Sequence, residues 1–209
     1  MINRLHYISQ QTGTGTHTDH IRAACDAGCQ WIQLRVKHQS EQDVLPMAAA
    51  ARKITDYYKA ALIINDFPRI AVSVGADGVH VGKNDMTVAA ARAITGPDMI
   101  VGGTANTAAD IFQHAADGAS YVGVGPFRFT TTKENLSPIL GLEGYKAIIQ
   151  ALQEKRIAIP VIAIGGILAE DIDALMQTGI HGIAASGMIT HATEKGVLVQ
   201  HLYKQLNAY

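Results

Sequence analysis

Apolar positions in this chain fall into short β-branched runs separated by longer stretches of helical periodicity, and four of the junctions share one layout. The four are Gly28-Cys-Gln-Trp-Ile-Gln-Leu34, Gly75-Ala-Asp-Gly-Val-His-Val81, Gly118-Ala-Ser-Tyr-Val-Gly-Val124 and Gly179-Ile-His-Gly-Ile-Ala-Ala185. In each, a helical segment stops at glycine and an apolar run begins about three residues later. Glycine suits a left-handed helix end, and an unalternating apolar run suits a strand buried on both faces. Such repetition is the mark of parallel βα units.

The pattern predicts eight strands, over Leu5–Ser9, Trp31–Arg35, Ala61–Ile64, Gly78–Val81, Met99–Gly103, Tyr121–Gly125, Val161–Ile164 and Gly182–Ser186. Helical patterns follow over Thr18–Ala27, Glu41–Lys59, Pro68–Val74, Thr87–Ile94, Ala108–Ala116, Gly144–Gln153, Ala169–Gln177 and Lys195–Gln205. Ser40 before Glu41, with Asp43 three residues on, reads as a helix start, and Pro68 fits a first turn. Eight such units in 209 residues predict a compact (β/α)8 TIM barrel, one domain spanning 1–209. A doubly wound open sheet is the alternative.

Composition narrows the function. Seventeen basic residues against eighteen acidic, without a run of like charge, give no electrostatic footprint for nucleic acid or a membrane surface. The N-terminus lacks a signal-like apolar stretch, and the longest apolar run, Ile157–Ile167, is interrupted by Pro160 and two glycines. A cytoplasmic location is expected. Cys25 and Cys29 make no disulfide framework; buried reduced thiols are the expectation, a metal pair the alternative. Homo-oligomerisation is left open.

In a barrel, chemistry sits on the loops leaving the strand ends. There the chain gathers Gln33, Arg35 and Lys37; Asn65 and Asp66; Lys83 and Asp85; Thr104 and Asn106; Thr130, Thr131, Thr132 and Lys133; Gly165 and Gly166; Ser186 and Gly187. Asp66 and Asp85 could share Mg²⁺, which takes one or two protein carboxylates with phosphate and water oxygens. Read singly, each could instead cap the next helix. Gln33, Arg35 and Lys37 alternate, so they project from one face and suit an anion, unless they are a salt-bridged strand end. The three threonines beside Lys133 offer donors and charge to an oxygen-rich ligand, or form a plain polar loop. Gly166, Ser186 and Gly187 suit a second phosphate, although glycine also punctuates loops.

In this order and spacing, Trp31-Ile-Gln-Leu-Arg-Val-Lys37, Ile64-Asn-Asp66, Gly75-Ala-Asp-Gly-Val-His-Val-Gly82, Gly125-Pro126, Thr130-Thr-Thr-Lys133, Leu140-Gly-Leu-Glu143 and Ala163-Ile-Gly-Gly-Ile167 resemble the thiamine phosphate synthase (thiamine-phosphate pyrophosphorylase) family, from about Tyr7 to Ile189. The resemblance implies a (β/α)8 transferase of thiamine biosynthesis. It would join two phosphorylated small molecules, hydroxymethylpyrimidine diphosphate and thiazole phosphate, releasing pyrophosphate. It assigns Gln33, Arg35, Lys37, Asn65, Thr104 and Lys133 to the pyrimidine diphosphate, with Arg35, Lys37 and Lys133 stabilising the leaving group. Asp66 and Asp85 would bind Mg²⁺. Thr130, Thr131 and Thr132 would meet the thiazole phosphate, with Gly166, Ser186 and Gly187 near its phosphate.

Three positions depart from the family pattern. Phe67 stands where a second aspartate is frequent, Thr104 where serine is common, and Ser186 one residue early in its loop. A related thiazole tautomerase uses a histidine just after the strand 6 glycines, where this chain has Pro126. A non-catalytic phosphate-binding barrel would have little use for Asp66, Asp85 and Lys133 together. A histidine metal site on His17-x-x-His20 lacks a third convergent ligand.

Overall fold

The computed structural model describes residues 1–83, 85–130 and 137–209. Its strands are β1 (Leu5–Ile8), β2 (Trp31–Leu34), β3 (Ala61–Asn65), β4 (Gly78–Val81), β5 (Ile100–Ala105), β6 (Tyr121–Val124), β7 (Val161–Ile164) and β8 (Gly182–Ala185). They pair in parallel in sequence order, and β8 returns to β1 to close a barrel. The open-sheet alternative is excluded by that closure.

Outside the strands lie α1 (His17–Asp26), α2 (Glu41–Tyr58), α3 (Pro68–Ser73), α4 (Val88–Thr95), α5 (Ala108–Ala116), α6 (Gly141–Glu154), α7 (Ile172–Gln177), α8 (Gly187–Thr190) and α9 (Lys195–Leu206). Their starts follow local chemistry. Thr16 and Thr107 cap α1 and α5 by accepting the amides of Asp19 and Asp110, and each aspartate reaches back to the threonine amide. Ser40 caps α2, and Pro68 opens α3. The glycines that end the four repeats all have positive φ, as their left-handed role requires.

Two helix starts differ from the sequence reading by three residues. The α6 helix begins three residues earlier, at Gly141 rather than Gly144. A short 3₁₀ turn, Ala169–Asp171, precedes α7. The small helix α8 has no counterpart in the sequence reading, because four residues are too few to express periodicity.

Two apolar layers result. Leu34, Leu62, Ile64, Val79, Val122 and their neighbours pack outward against the helices. Inside the barrel, Ile8, Trp31, Ile63, Tyr121, Ile162 and Ala184 form a separate core. His6 stacks on Trp31 with ring centroids 4.4 Å apart, and Tyr121 meets both edge-on. Gly102 makes room for this group: a Cβ there would lie 2.3 Å from Tyr121 Cζ. Filling the interior this way leaves the polar residues of the same strands to the C-terminal rim.

Candidate active site

The run Trp31–Lys37 continues its alternation past the end of β2. Leu34 and Val36 turn outward into the apolar layer, which puts Gln33, Arg35 and Lys37 on the opposite face. Gln33 is buried, and its Nε2 donates to Asn65 Oδ1 at 2.7 Å. Asn65 ends β3 in register with His80 of β4.

The next residue changes direction. Asp66 has φ 66°, the left-handed region that a short polar side chain tolerates. Its amide donates to the His80 carbonyl at 2.8 Å. This turn carries the Asp66 carboxylate over Gly82, whose amide donates to Oδ1 at 3.2 Å. Asn65 Nδ2 and Lys37 Nζ donate to Oδ2. Lys37 Nζ also reaches Asp85 Oδ2 at 3.3 Å, so one ammonium bridges both acids.

Gly82 permits that convergence. A Cβ there would stand 2.1 Å from Asp85 Oδ2 and 3.7 Å from Asp66 Oδ1. Lys37, Asp66 and Asp85, with Val36, His38, Phe67 and Met86, line a cavity of about 440 Å³. Burial raises the Asp66 pKa; the Lys37 ammonium opposes the shift, and the charge of Asp85 adds to it. Neither acid caps a helix. Thr87 caps α4 instead, and the residue preceding α3 is Phe67, which makes no side-chain cap.

Other predicted residues lie around the same rim. Arg35 is half-buried, and its amide donates to Ser9 Oγ, which also hydrogen-bonds His17 Nδ1 at 2.9 Å. Burial, then the charges of His20 and Arg35, hold His17 below the ordinary histidine pKa. Thr104 lies inside β5 rather than beyond its end, with Oγ1 hydrogen-bonded to His80 Nε2 at 3.0 Å. His80 Nδ1 is hydrogen-bonded to the Tyr121 hydroxyl at 3.1 Å, so this histidine joins the interior aromatics to the rim. The sequence reading assigned His80 no role. The signal was its interior register in Gly-Val-His-Val, where an apolar residue would be ordinary.

Two rim residues prove structural. Lys83 pairs with Asp110 at 2.9 Å. The Asn106 amide donates to the Gly125 and Pro138 carbonyls, each at 2.9 Å, holding the base of the loop after β6.

The remaining candidates occupy the arc from β6 to β8. Thr130 is half-buried; Thr131, Thr132 and Lys133 lie outside the described residues. Ile164 and Ala184 are register partners, so Gly166 and Ser186 each sit two residues beyond neighbouring strand positions. Ser186 Oγ donates to Gln10 Oε1 at 3.2 Å, and its carbonyl accepts the Ile189 and Thr190 amides of α8, which Gly187 opens. Gln10 was missed because nothing in the β1–α1 connection advertises a contact with β8.

His17 and His20 bond Ser9 and Thr12. No group of three or more His, Cys, Asp or Glu among the described residues could hold a metal. Cys25 and Cys29 are free buried thiols, each pushed up to about 12 chiefly by burial. Among the described residues no helix is long and apolar enough to cross a membrane.

Comparison with known proteins follows the same lines. The chain is 50% identical over 208 residues to the thiamine-phosphate synthase of Flavobacterium johnsoniae, covering 100% of this chain and 98% of that one. It is 48% identical over 190 residues to the thiamine-phosphate synthase of Bacteroides fragilis, covering 91% and 93%. The solved thiamine phosphate pyrophosphorylase of Pyrococcus furiosus superposes with a TM-score of 0.83 at 27% identity, covering 98% of this chain and 96% of that one. A 3-hexulose-6-phosphate synthase, 16% identical with a TM-score of 0.65, shares the barrel alone. Residues 5–189 match the family model for thiamine monophosphate synthase, and the chain belongs to that family.

Proposed function

We propose that the chain condenses hydroxymethylpyrimidine diphosphate with thiazole phosphate, giving thiamine phosphate and pyrophosphate, at the C-terminal rim of the barrel. The observation that carries this reading is the meeting of Lys37, Asp66 and Asp85 above Gly82, next to the Gln33–Asn65 pair. Relatives named thiamine-phosphate synthase match along the whole chain, which supports it.

Two carboxylates facing one spot fit Mg²⁺, which takes few protein ligands and completes its shell with phosphate and water oxygens. Asp66 and Asp85 would hold it, and when bound it would offset the diphosphate's charge and favour pyrophosphate as a leaving group. Lys37, which bridges the two acids here, would then be free to turn toward the diphosphate oxygens, beside Arg35 and Lys133. The Gln33 and Asn65 amides would present their remaining donors and acceptors to the pyrimidine. Thr104, aligned by His80, offers a hydroxyl on the same face.

Bond changes need no proton transfer. The bond from the pyrimidine methylene carbon to the diphosphate oxygen breaks, both electrons leaving with pyrophosphate. The thiazole nitrogen then gives its lone pair to that carbon. A dissociative order asks the protein to stabilise charge, juxtapose the two substrates and exclude water, and asks no side chain to act as nucleophile. Thr130, Thr131 and Thr132, with Gly166, Ser186 and Gly187, would hold the thiazole phosphate. A tautomerase reading is disfavoured because Pro126 carries no ionisable group. Soluble phosphorylated substrates of this kind suit a cytoplasmic setting.

The test is to mix purified protein with both substrates, with and without Mg²⁺, and to look for thiamine phosphate and pyrophosphate. Product that requires both substrates and Mg²⁺ is expected. Thiazole isomerisation without the pyrimidine, or ligand binding without turnover, would sink the reading.

A further inference from the structure

Arg128 is absent from every role described so far, yet its guanidinium makes three hydrogen bonds between two rim loops. Its Nη1 donates to the Gly166 carbonyl at 2.8 Å and to Asp171 Oδ2 at 2.9 Å, and its Nη2 donates to Asp171 Oδ1 at 2.9 Å. Asp171 Oδ2 also accepts the Leu168 amide at 2.8 Å. The backbone runs the same way: Phe127 N donates to Ile164 O and Arg128 N to Gly165 O, each at 2.9 Å. The loop after β6 is therefore fastened to the loop after β7 through both main chain and side chain. Thr130 lies two residues from this fastening on one side, and Gly166 is part of it on the other.

An exposed ion pair contributes little to global stability, and the Arg128 side chain is 44% exposed. What a planar guanidinium adds is direction. Its fork meets a carboxylate along two parallel bonds while a third bond goes to a carbonyl, a geometry that a lysine ammonium cannot reproduce. We propose that Arg128 and Asp171 are positioning residues that hold Thr130 and Gly166 at a fixed spacing, and so set affinity for the phosphate of the thiazole substrate. The proposal rests on the reading that Thr130 and Gly166 meet that substrate, and involves neither Asp66 nor Asp85.

The experiment compares Arg128→Lys, Arg128→Met, Asp171→Asn and the Arg128→Met/Asp171→Asn double variant. Each single variant should raise KM for thiazole phosphate about five- to tenfold, as the loss of a charge-assisted positioning contact would. KM for the pyrimidine diphosphate, which Lys133 further along the same loop would also meet, should rise less than that for thiazole phosphate, and the melting temperature should hardly move. Because the two residues act as one unit, the double variant should be no worse than the worse single. A rise in KM for the pyrimidine diphosphate equal to or larger than that for thiazole phosphate, full rescue by lysine, or additive losses would overturn the proposal. Amide exchange gives a second readout: in Arg128→Met, protection should fall at Leu168 and at the backbone amide of residue 128 and persist in the strands, and unchanged protection would also overturn it. Wild-type protein that makes no thiamine phosphate would refute the proposed reaction instead, while the exchange measurement still decides the tie between the loops.

Discussion

The interior of the barrel and its C-terminal rim are built on the same strands, and they treat charge in opposite ways. Inside, His6 is held neutral: burial is the chief cause that brings its pKa down to about 3, and its Nε2–H donates to the Asn3 carbonyl at 2.8 Å. Trp31 stacks on it, and Tyr121, its hydroxyl pKa raised by burial, closes the side. At the rim, Asp66 is also largely buried, yet it stands beside a second acid with one lysine between them. The interior removes charge by desolvation and packs the remainder; the rim keeps charges close together whose balance a ligand would change. Stability should therefore reside mainly in the first region and turnover in the second.

The largest effect expected is Trp31→Ala. Emptying the interior core should cost about 3–5 kcal/mol in denaturant unfolding, as large aromatic truncations do. A loss below 1 kcal/mol would erase the contrast.

Next come Asp66→Ala and Asp85→Ala. Each should lower kcat by about 10²- to 10³-fold, the scale of losing a principal electrostatic contact. Circular dichroism and melting should show an intact barrel, so activity retained in both variants would refute the metal assignment.

A pH series sharpens the same comparison. His6 has a folded pKa far below its unfolded value near 6.5, so the unfolded chain binds the extra proton. Its contribution is present in full above about pH 6.5 and is lost as pH falls toward 3. Between pH 7 and 5 that amounts to about 2 kcal/mol. In His6→Phe this part of the acid loss should vanish, and equal slopes for the two proteins would show that His6 is not the group responsible.

The smallest effects concern Thr104, the rim partner of the histidine that spans the two regions. Thr104→Ser keeps the hydroxyl that meets His80, and kcat/KM should stay within about twofold. Thr104→Val removes it and leaves His80 Nε2 without that partner, for an expected loss of about tenfold. Equal effects of the two substitutions would show that the hydroxyl does not matter.

Much of this could be read from the chain. Four glycine-ended repeats foretold the parallel units, because a left-handed helix end followed by an unalternating apolar run has few other uses. The alternation of Gln33, Arg35 and Lys37 foretold a shared face, and Ser40 and Pro68 marked the starts of α2 and α3. Spacing along the chain did not separate Lys83 and Asn106, which serve the scaffold, from Lys37 and Asn65, which line the rim. Those roles depend on partners such as Asp110 and Pro138, contributed by other elements.

What the sequence settled by itself was local: periodicity, caps and the order of the strands, since each follows from neighbours within a turn or a strand. Strand pairing decided the rest. Closure of β8 on β1 brought Gln10 to Ser186, while the pairing of β4 through β7 set His80 between Tyr121 and Thr104 and fastened Arg128 to Asp171. Barrel register determines which distant residues face one another, and hydrogen bonds across those gaps depend on ångström distances that a linear pattern does not encode.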